Sequence, residues 1–278
     1  MAYGYKRISV KLEGGVAFAT MSNPPINIIS MELAGELGQF ALEVAKDDAV
    51  RAVVLRSDDP DFWLAHFDVA AIIDFPTGGV APLNREVNDN FYHAMCETYR
   101  TMPKATIAEI NGRVGGGGSE LAMSCDMRFG ALGKTIINQP EVALGILPGG
   151  TGTQRMPRLI GRGRALEVIL GCDDLDAATA ERWGYLNRAL APAELRPFVT
   201  KLAKRIASFP APAIAAAKRA TLASDASWER GLIEESHLFQ VLLRTPEAPV
   251  AMKKFMASGG QTREGENRLG ELCTKLGS

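Results

Sequence analysis

Two glutamates and a run of glycines carry the chemical content of this chain. In Asn111-Gly112-Arg113-Val114-Gly115-Gly116-Gly117-Gly118-Ser119-Glu120, four consecutive glycines lead into a carboxylate; Glu141 follows in Asn138-Gln139-Pro140-Glu141-Val142-Ala143-Leu144-Gly145. Each glycine costs about 0.5–1 kcal/mol of backbone entropy relative to alanine in a regular element. Such a run belongs where backbone approaches something closely or bends sharply into a helix, and N–H groups at a helix start attract negative charge. Glu120 is expected to begin that helix, either as a solvated first-turn residue or as a working group; Glu141 is either a capping residue or its counterpart. Two carboxylates beside glycine-rich backbone suggest holding a water and moving protons, and their titration would belong to the pair. The run lacks the acidic follow-up of a dinucleotide fingerprint and the Gly-Lys-Ser/Thr of a phosphate-binding loop.

These groups need a scaffold, and the pattern predicts one of α/β class. Ile8 to Leu12 and Val16 to Met21 read as strands about the Glu13-Gly14-Gly15 turn, and Asn23-Pro24-Pro25 ends the second. Leu33, Leu37, Phe40 and Val44 line one face of a helix from Met31 to Ala45; Ala52 to Leu55 is an apolar strand. Asp74 to Ala81 reads as a mobile surface segment and Asn84 to Arg100 as a helix stopped by Pro103. A strand (Ala105 to Ile110), a glycine turn (Gly115 to Gly118), a short helix (Glu120 to Cys125) and a strand (Met127 to Ala131) follow. This alternation argues for α/β layers rather than a bundle or a sandwich. Beyond Leu190 only helices are expected: Arg196 to Ser208, Ala213 to Ala223, Trp228 to Leu243, Pro249 to Met256 and a polar one from Thr262 to Leu276. The shift divides a core, residues 1–200, from a helical region, 201–278, that packs on its own core or partly on a neighbouring subunit.

Composition narrows the function classes. With 278 residues, 46% hydrophobic and 23% charged, the chain can bury a large core without metal or disulfide staples. A net charge of −1 gives no general pull toward nucleic acid or anionic lipid. Cys96, Cys125, Cys172 and Cys273 form no CxxC pair, and His66, His93 and His237 have no metal-ligand spacing. No apolar run approaches the 20 or so residues of a membrane span, and the start lacks a signal-like apolar stretch, so the chain reads as cytoplasmic, with no metal and no membrane partner.

Together, Pro103 to Asp126, Gln139-Pro140-Glu141, Leu147-Pro148-Gly149-Gly150-Thr151-Gly152-Thr153-Gln154-Arg155 and Gly163-Arg164-Ala165-Leu166-Glu167 resemble the enoyl-CoA hydratase/isomerase (crotonase) family, in this order and spacing. The resemblance covers Ile8 to Leu190 well and the helical tail more loosely. It implies a crotonase-like spiral of β-β-α repeats with a C-terminal helical region, a homotrimer or dimer of trimers, and an acyl-CoA thioester substrate. No separate cofactor is implied, since coenzyme A is part of the substrate. It further implies an oxyanion hole from the backbone N–H groups of Phe67 and Gly117, where preorganised donors stabilise charge developing on the thioester oxygen. Ala65, His66, Asp68 and Gly116 are candidates for binding the substrate or its coenzyme A, as are Lys253 and Phe255 in the tail, with Lys218, Arg219 and Lys254; Phe255 is alternatively a core residue.

In hydratases of this family the first glutamate orients or deprotonates the water added at Cβ and the second protonates Cα, positions matched by Glu120 and Glu141. Retention of both favours a hydratase, giving a 3-hydroxyacyl-CoA by syn addition to a trans-2-enoyl-CoA. The alternatives are an enoyl-CoA isomerase, a hydrolase or lyase with the same enolate chemistry, and a non-catalytic acyl-CoA binding protein. Two departures stand out: His66 replaces the usual glycine before the first donor, in a bulky Phe62-Trp63-Leu64-Ala65-His66-Phe67 loop, and Thr151 replaces another glycine. His66 is expected to be a neutral packed side chain or a hydrogen-bond donor to the ligand, and Thr151 to be tolerated.

Overall fold

Gly14 and Gly15, both at positive φ (60° and 77°), close a tight turn between β1 (Ile8–Glu13) and β2 (Val16–Met21), which pair antiparallel from Glu13↔Val16 to Ile8↔Met21. The computed structural model describes residues 3–76, 78, 79, 90–222, 233, 236, 237 and 239–276. After β2 the chain settles into repeats. β3 (Ala52–Ser57), β5 (Ala105–Ile110), β7 (Met127–Ala131) and β10 (Arg188–Leu190) extend the first sheet in parallel, in the order β1-β2-β3-β5-β7-β10. β4 (Phe62–Leu64), β6 (Arg113–Gly115), β8 (Ile136–Asn138) and β9 (Leu175–Asp176) form a second sheet in that order. Each repeat thus gives one strand to each sheet and then a helix: β3-β4-α2 (Val69–Ile73), β5-β6-α4 (Gly116–Ser124), and β7-β8 followed by the 3-10 turn Val142–Leu144. This is the expected β-β-α spiral.

β5 is buried at all six positions, as a strand covered on both faces must be. On one side lie α1 (Met31–Ala45), α3 (Phe91–Thr101) and the second sheet, with Leu37, Phe40, Trp63 and Tyr99 fully buried. On the other, α8 (Pro192–Ala207) presses Leu195, Val199 and Ala203 onto Phe18, Val54 and Ile107, so the helix crossing residue 200 is part of the sheet's cover. The tail helices Glu247–Ala257 and Leu269–Leu276 pack Met252, Phe255 and Leu272 against Val69, Leu144 and Ile146, over the chain's own second layer.

Several elements keep the bounds read from sequence, α1 and β7 among them. Others shift. α4 begins at Gly116, not Glu120: Gly115 is still extended (φ −132°, ψ 161°) and Gly116, at φ 46°, makes the bend, so the glycines are the helix's first turn. α3 starts at Phe91, where the Asn90 side chain accepts from the N–H groups of Tyr92 (2.9 Å) and His93 (3.1 Å); residues 84–89 of the expected helix lie outside the described residues. So do residues 77, 80 and 81 of the expected surface segment and half of Trp228 to Leu243. The single helix expected over Thr262 to Leu276 is two, Arg263–Glu266 and Leu269–Leu276, because Glu266 is drawn into the interior. Among the described residues, no helix is long and apolar enough to cross a membrane.

The β5–β6 junction tolerates no side chain. A Cβ on Gly112 would sit 2.2 Å from the Asp61 carbonyl oxygen, which also accepts from Arg113 N–H at 2.7 Å. Gly112→Ala should therefore destabilise the fold by about 1–3 kcal/mol, as overpacking against backbone does. Thermal unfolding would show this as a midpoint several degrees lower, and an unchanged midpoint would refute the contact.

Candidate active site

The second sheet positions the site. β4, β6 and β8 are adjacent and parallel, with Leu64↔Val114 and Gly115↔Asn138 in register. Their carboxyl ends therefore deliver three segments to one edge: Ala65-His66-Phe67-Asp68, Gly116-Gly117-Gly118, and Gln139-Pro140-Glu141. Open α/β sheets bind ligands at such edges.

Glu120 lies one turn into α4 and is buried (3% exposed). Its Oε1 accepts from Gly150 N–H at 2.9 Å and Gly152 N–H at 2.7 Å. Gly152 opens α5 (Gly152–Ile160), so the carboxylate faces a helix N-terminus, where two N–H donors and the helix dipole stabilise negative charge. Between the donors sits Thr151 at φ 124°, a conformation L side chains rarely adopt. Its hydroxyl accepts from Arg155 Nε at 2.8 Å, and Arg155 is paired with Glu97, so a buried network holds the strained residue. The substitution is accommodated, at a strain of about 1–3 kcal/mol.

Glu141, 8% exposed, opens the 3-10 turn, and its carbonyl accepts from Leu144 and Ile146 N–H at 3.0 Å each. A Cβ on Gly116 would come within 2.7 Å of Glu141 Oε1, so only glycine lets the carboxyl lie over the start of α4. Gly117 is the second residue of α4, and its N–H is a donor that a helix start leaves without an intrahelical acceptor. Ile29 N–H donates to His66 O (2.8 Å) and Asp68 N–H to Ile29 O (3.0 Å) in a parallel bridge that turns the N–H of Phe67 away from Ile29, to the α4 side. A Cβ on Gly117 would lie 3.3 Å from Phe67 Cβ.

Phe67, Gly117, Glu120 and Glu141 line one cavity of 90 Å³, so the structure brings together the four residues on which the chemistry was expected to turn. A single water needs about 10–15 Å³ of such space, which leaves room for a short acyl segment. The remaining wall is mostly apolar, with Ile72, Phe75, Phe91 and Ile146. Ala65, His66, Asp68 and Gly116 stand behind this wall as its frame. Asp68 caps α2 through Ala70 N–H (3.0 Å), and the Ala65 carbonyl oxygen is 2.5 Å from a Cβ on Gly115.

His66 is neither a lone packed side chain nor a donor to the ligand. It is 2% exposed, its Nδ1–H donates to Phe67 O at 2.8 Å, and Nε2 pairs with Glu266 Oε1 at 2.9 Å. Burial alone would lower its pKa, but attraction and hydrogen bonding to Glu266, the Phe67 carbonyl and Glu141 together raise it. Burial likewise opposes the charge on Glu266, and His66, the Gln261 N–H and Arg113 together more than compensate, holding its carboxyl below the usual range. Phe255 is fully buried, edge-on to His66 with ring centroids 5.8 Å apart, so it supports the loop from beneath rather than offering a ligand wall. Lys253 is exposed on its tail helix, Lys254 donates to Leu276 O, and Lys218 is spent on Asp126 (3.0 Å) and on the carbonyls of Tyr99 and Lys104.

Tyr92 and His93 had no signature in the sequence. The Tyr92 hydroxyl donates to Gly117 O at 2.6 Å, and His93 Nε2–H donates to Gly149 O at 2.9 Å, pinning the loop that grips Glu120. Burial, and then neighbouring groups including Glu120 and Glu141, push the Tyr92 phenol well above its ordinary pKa, so it stays a proton donor. The one available clue was Asn90 ahead of an aromatic pair, which marks a helix start but not its cargo. Tyr92→Phe should leave the Gly117 carbonyl without this donor, at a cost of about 1–3 kcal/mol. Thermal unfolding alongside acyl-CoA turnover checks this, and an unchanged unfolding midpoint would discount the bond.

A larger cleft of 460 Å³ lies at the far end of α4, lined by Arg100, Arg155 and Lys218. Arg100 and Arg155 are paired with Glu97 and Lys218 with Asp126, and neither Glu120 nor Glu141 lines this cleft.

Comparison with known proteins agrees with this geometry. The sequence profile of the family described as "Enoyl-CoA hydratase/isomerase" matches residues 11–258. The chain is 34% identical over 257 residues to a "Probable enoyl-CoA hydratase" of Rhizobium meliloti (strain 1021), covering 91% of this chain and 96% of the relative. It is 30% identical over 251 residues to the "Short-chain-enoyl-CoA hydratase" of Clostridium acetobutylicum, covering 90% and 94%. In three dimensions it matches the crystal structure of an enoyl-CoA hydratase homologue from Streptomyces avermitilis with a TM-score of 0.88 at 35% identity, over 99% of each chain.

Proposed function

We propose that this chain, which belongs to the enoyl-CoA hydratase/isomerase family, adds water across the double bond of a trans-2-enoyl-CoA. The observation that carries this reading is the convergence of Glu120, Glu141, Gly117 and Phe67 on one small cavity. The thioester oxygen accepts from the N–H groups of Phe67 and Gly117, which lie where charge develops as Cβ is attacked. Glu120, held as an anion by Gly150, Gly152 and the start of α5, takes a proton from water as its oxygen bonds to Cβ. Glu141, the acid, gives its proton to Cα. The product is the 3-hydroxyacyl thioester, and the proton left on Glu120 returns to Glu141 through solvent.

The opposed environments support the division of roles. Two carboxyl groups in one cavity resist being charged together, and the one facing two N–H donors and a helix start is the natural anion. The small, mostly apolar cavity fits a short acyl chain.

The test is loss of the ultraviolet absorbance of the conjugated enoyl thioester on mixing crotonyl-CoA with the protein. Rapid loss with formation of 3-hydroxybutyryl-CoA is expected. A flat trace despite tight binding of crotonyl-CoA would overturn the hydratase reading, and faster conversion of a β,γ-enoyl-CoA would put an isomerase in its place.

A further inference from the structure

Both neighbours of Phe67 are tied to one turn of the C-terminal region. His66 Nε2 meets Glu266 Oε1 at 2.9 Å, and the Asp68 carboxylate accepts from Gln261 Nε2–H at 2.9 Å. The turn is closed on itself, because Glu266 Oε1 also accepts from Gln261 N–H at 2.6 Å, with Gln261 at φ 62°. His66 and Glu266 are 2% and 0% exposed, although 200 residues separate them. From its own loop His66 also donates through Nδ1–H to the Phe67 carbonyl. With Nδ1 committed as a donor, Nε2–H exists only on an imidazolium, unless the proton of the pair sits on Glu266.

We propose, building on the assignment of the Phe67 N–H as a thioester donor, that His66, Glu266 and Gln261 form a charged clamp through which the C-terminal region holds that donor in register. These are positioning residues; none lines the cavity that holds the two glutamates. The charged groups facing His66 are Glu266 from the tail helix Arg263–Glu266 and Glu141 from the turn after β8; Phe255 presents only its ring. Glu266 in turn feels Arg113 of β6, itself paired with Asp174. Because the pKa of His66 is raised, the clamp is complete below the ordinary histidine range and is lost as pH rises through the raised value. Because that of Glu266 is lowered, the carboxylate end is lost only as pH falls through the lowered value.

Glu266→Gln keeps shape and can still accept from Gln261 N–H, but it removes the charge that opposes burial at His66, so the imidazole goes neutral. The probe is butyryl-CoA carrying 13C at the thioester carbonyl, whose bound resonance reports donor geometry directly. In the wild type the bound resonance should lie downfield of the free ligand and move back upfield as pH rises. In Glu266→Gln it should lie nearer the free position and lose that transition, with kcat down by about tenfold and KM little changed, less than the hundredfold that a 1 Å misplacement costs. Gln261→Gly, which suits the positive φ and deletes only the tie to Asp68, should show the smaller upfield move even if Glu266→Gln does not fold.

Identical bound resonances in wild type and both variants, independent of pH, would overturn the clamp. A wild-type resonance unmoved by binding would remove the Phe67 donor and the clamp with it. A downfield, pH-dependent resonance without hydration of crotonyl-CoA would keep the clamp and sink only the hydratase reading.

Discussion

Glu120→Gln and Glu141→Gln should each lower kcat for crotonyl-CoA hydration by about 10²–10⁴-fold, the range of a lost general base or acid. Both variants should fold. Glutamine at position 120 keeps an oxygen for the Gly150 and Gly152 N–H groups, and glutamine at 141 keeps the shape over Gly116. The two are separable by solvent deuterium exchange at Cα of butyryl-CoA, which requires only that a base reach Cα. Glu141→Gln should lose this exchange while Glu120→Gln keeps most of it, since water activation is not involved. The reverse pattern would exchange the assigned roles. Undiminished hydration by either variant would remove that glutamate from the mechanism.

Gly150→Ala should be nearly as damaging although it leaves both glutamates in the sequence. A Cβ there would fall 2.4 Å from Glu120 Oε2 and 2.7 Å from Tyr92 Cδ1. The loop cannot retreat freely, because His93 holds the Gly149 carbonyl and Gly152 begins a helix. Glu120 must therefore move, and a displacement near 1 Å costs about 10²-fold in rate. Affinity for a saturated acyl-CoA, measured by calorimetry, should change little, since this site holds the carboxylate and not the thioester. A rate near wild type would mean that Glu120 works from a position other than the one observed.

Much of this architecture was legible before any coordinates, for identifiable reasons. Alternation of apolar runs with helical periodicity marked the α/β class, because burial on one face or on both leaves a period in the sequence, while the β-β-α order came from the family resemblance. The hairpin at Gly14-Gly15 carried local turn chemistry, both glycines lying at positive φ. The motif around Gly115 to Glu120, with Pro140-Glu141, contained Gly117, Glu120 and Glu141, where glycines let two backbones, or a backbone and a carboxylate, approach within a side chain's width; Phe67 came only from the family resemblance.

The rest depended on contacts between distant segments, which leave no local trace. The helix α4 starts several residues before the expected Glu120, since glycine propensity argues against a helix and only the close approach of Gly118 to Leu64, where an added Cβ would fall 2.5 Å from the carbonyl oxygen, rewards one there. Tyr92 and His93 looked like ordinary positions on a helix face until the fold brought Gly117 and Gly149 against them. Phe255 was offered to the ligand and went to the core, because burying an aromatic ring beneath the loop removes more apolar surface from water than leaving it at a wall.

Residue types and short spacings by themselves pointed to an α/β fold and to two carboxylates beside glycine-rich backbone, because those depend on periodicity and on chemical groups carried in the chain; the pairing of Glu120 with Glu141 came from the family resemblance. Tertiary structure alone decided which oxygen of Glu120 is gripped, that both ring nitrogens of His66 are engaged, and that a carboxylate 200 residues away faces it. Electrostatics acts through space and burial, and neither quantity exists until the chain has folded.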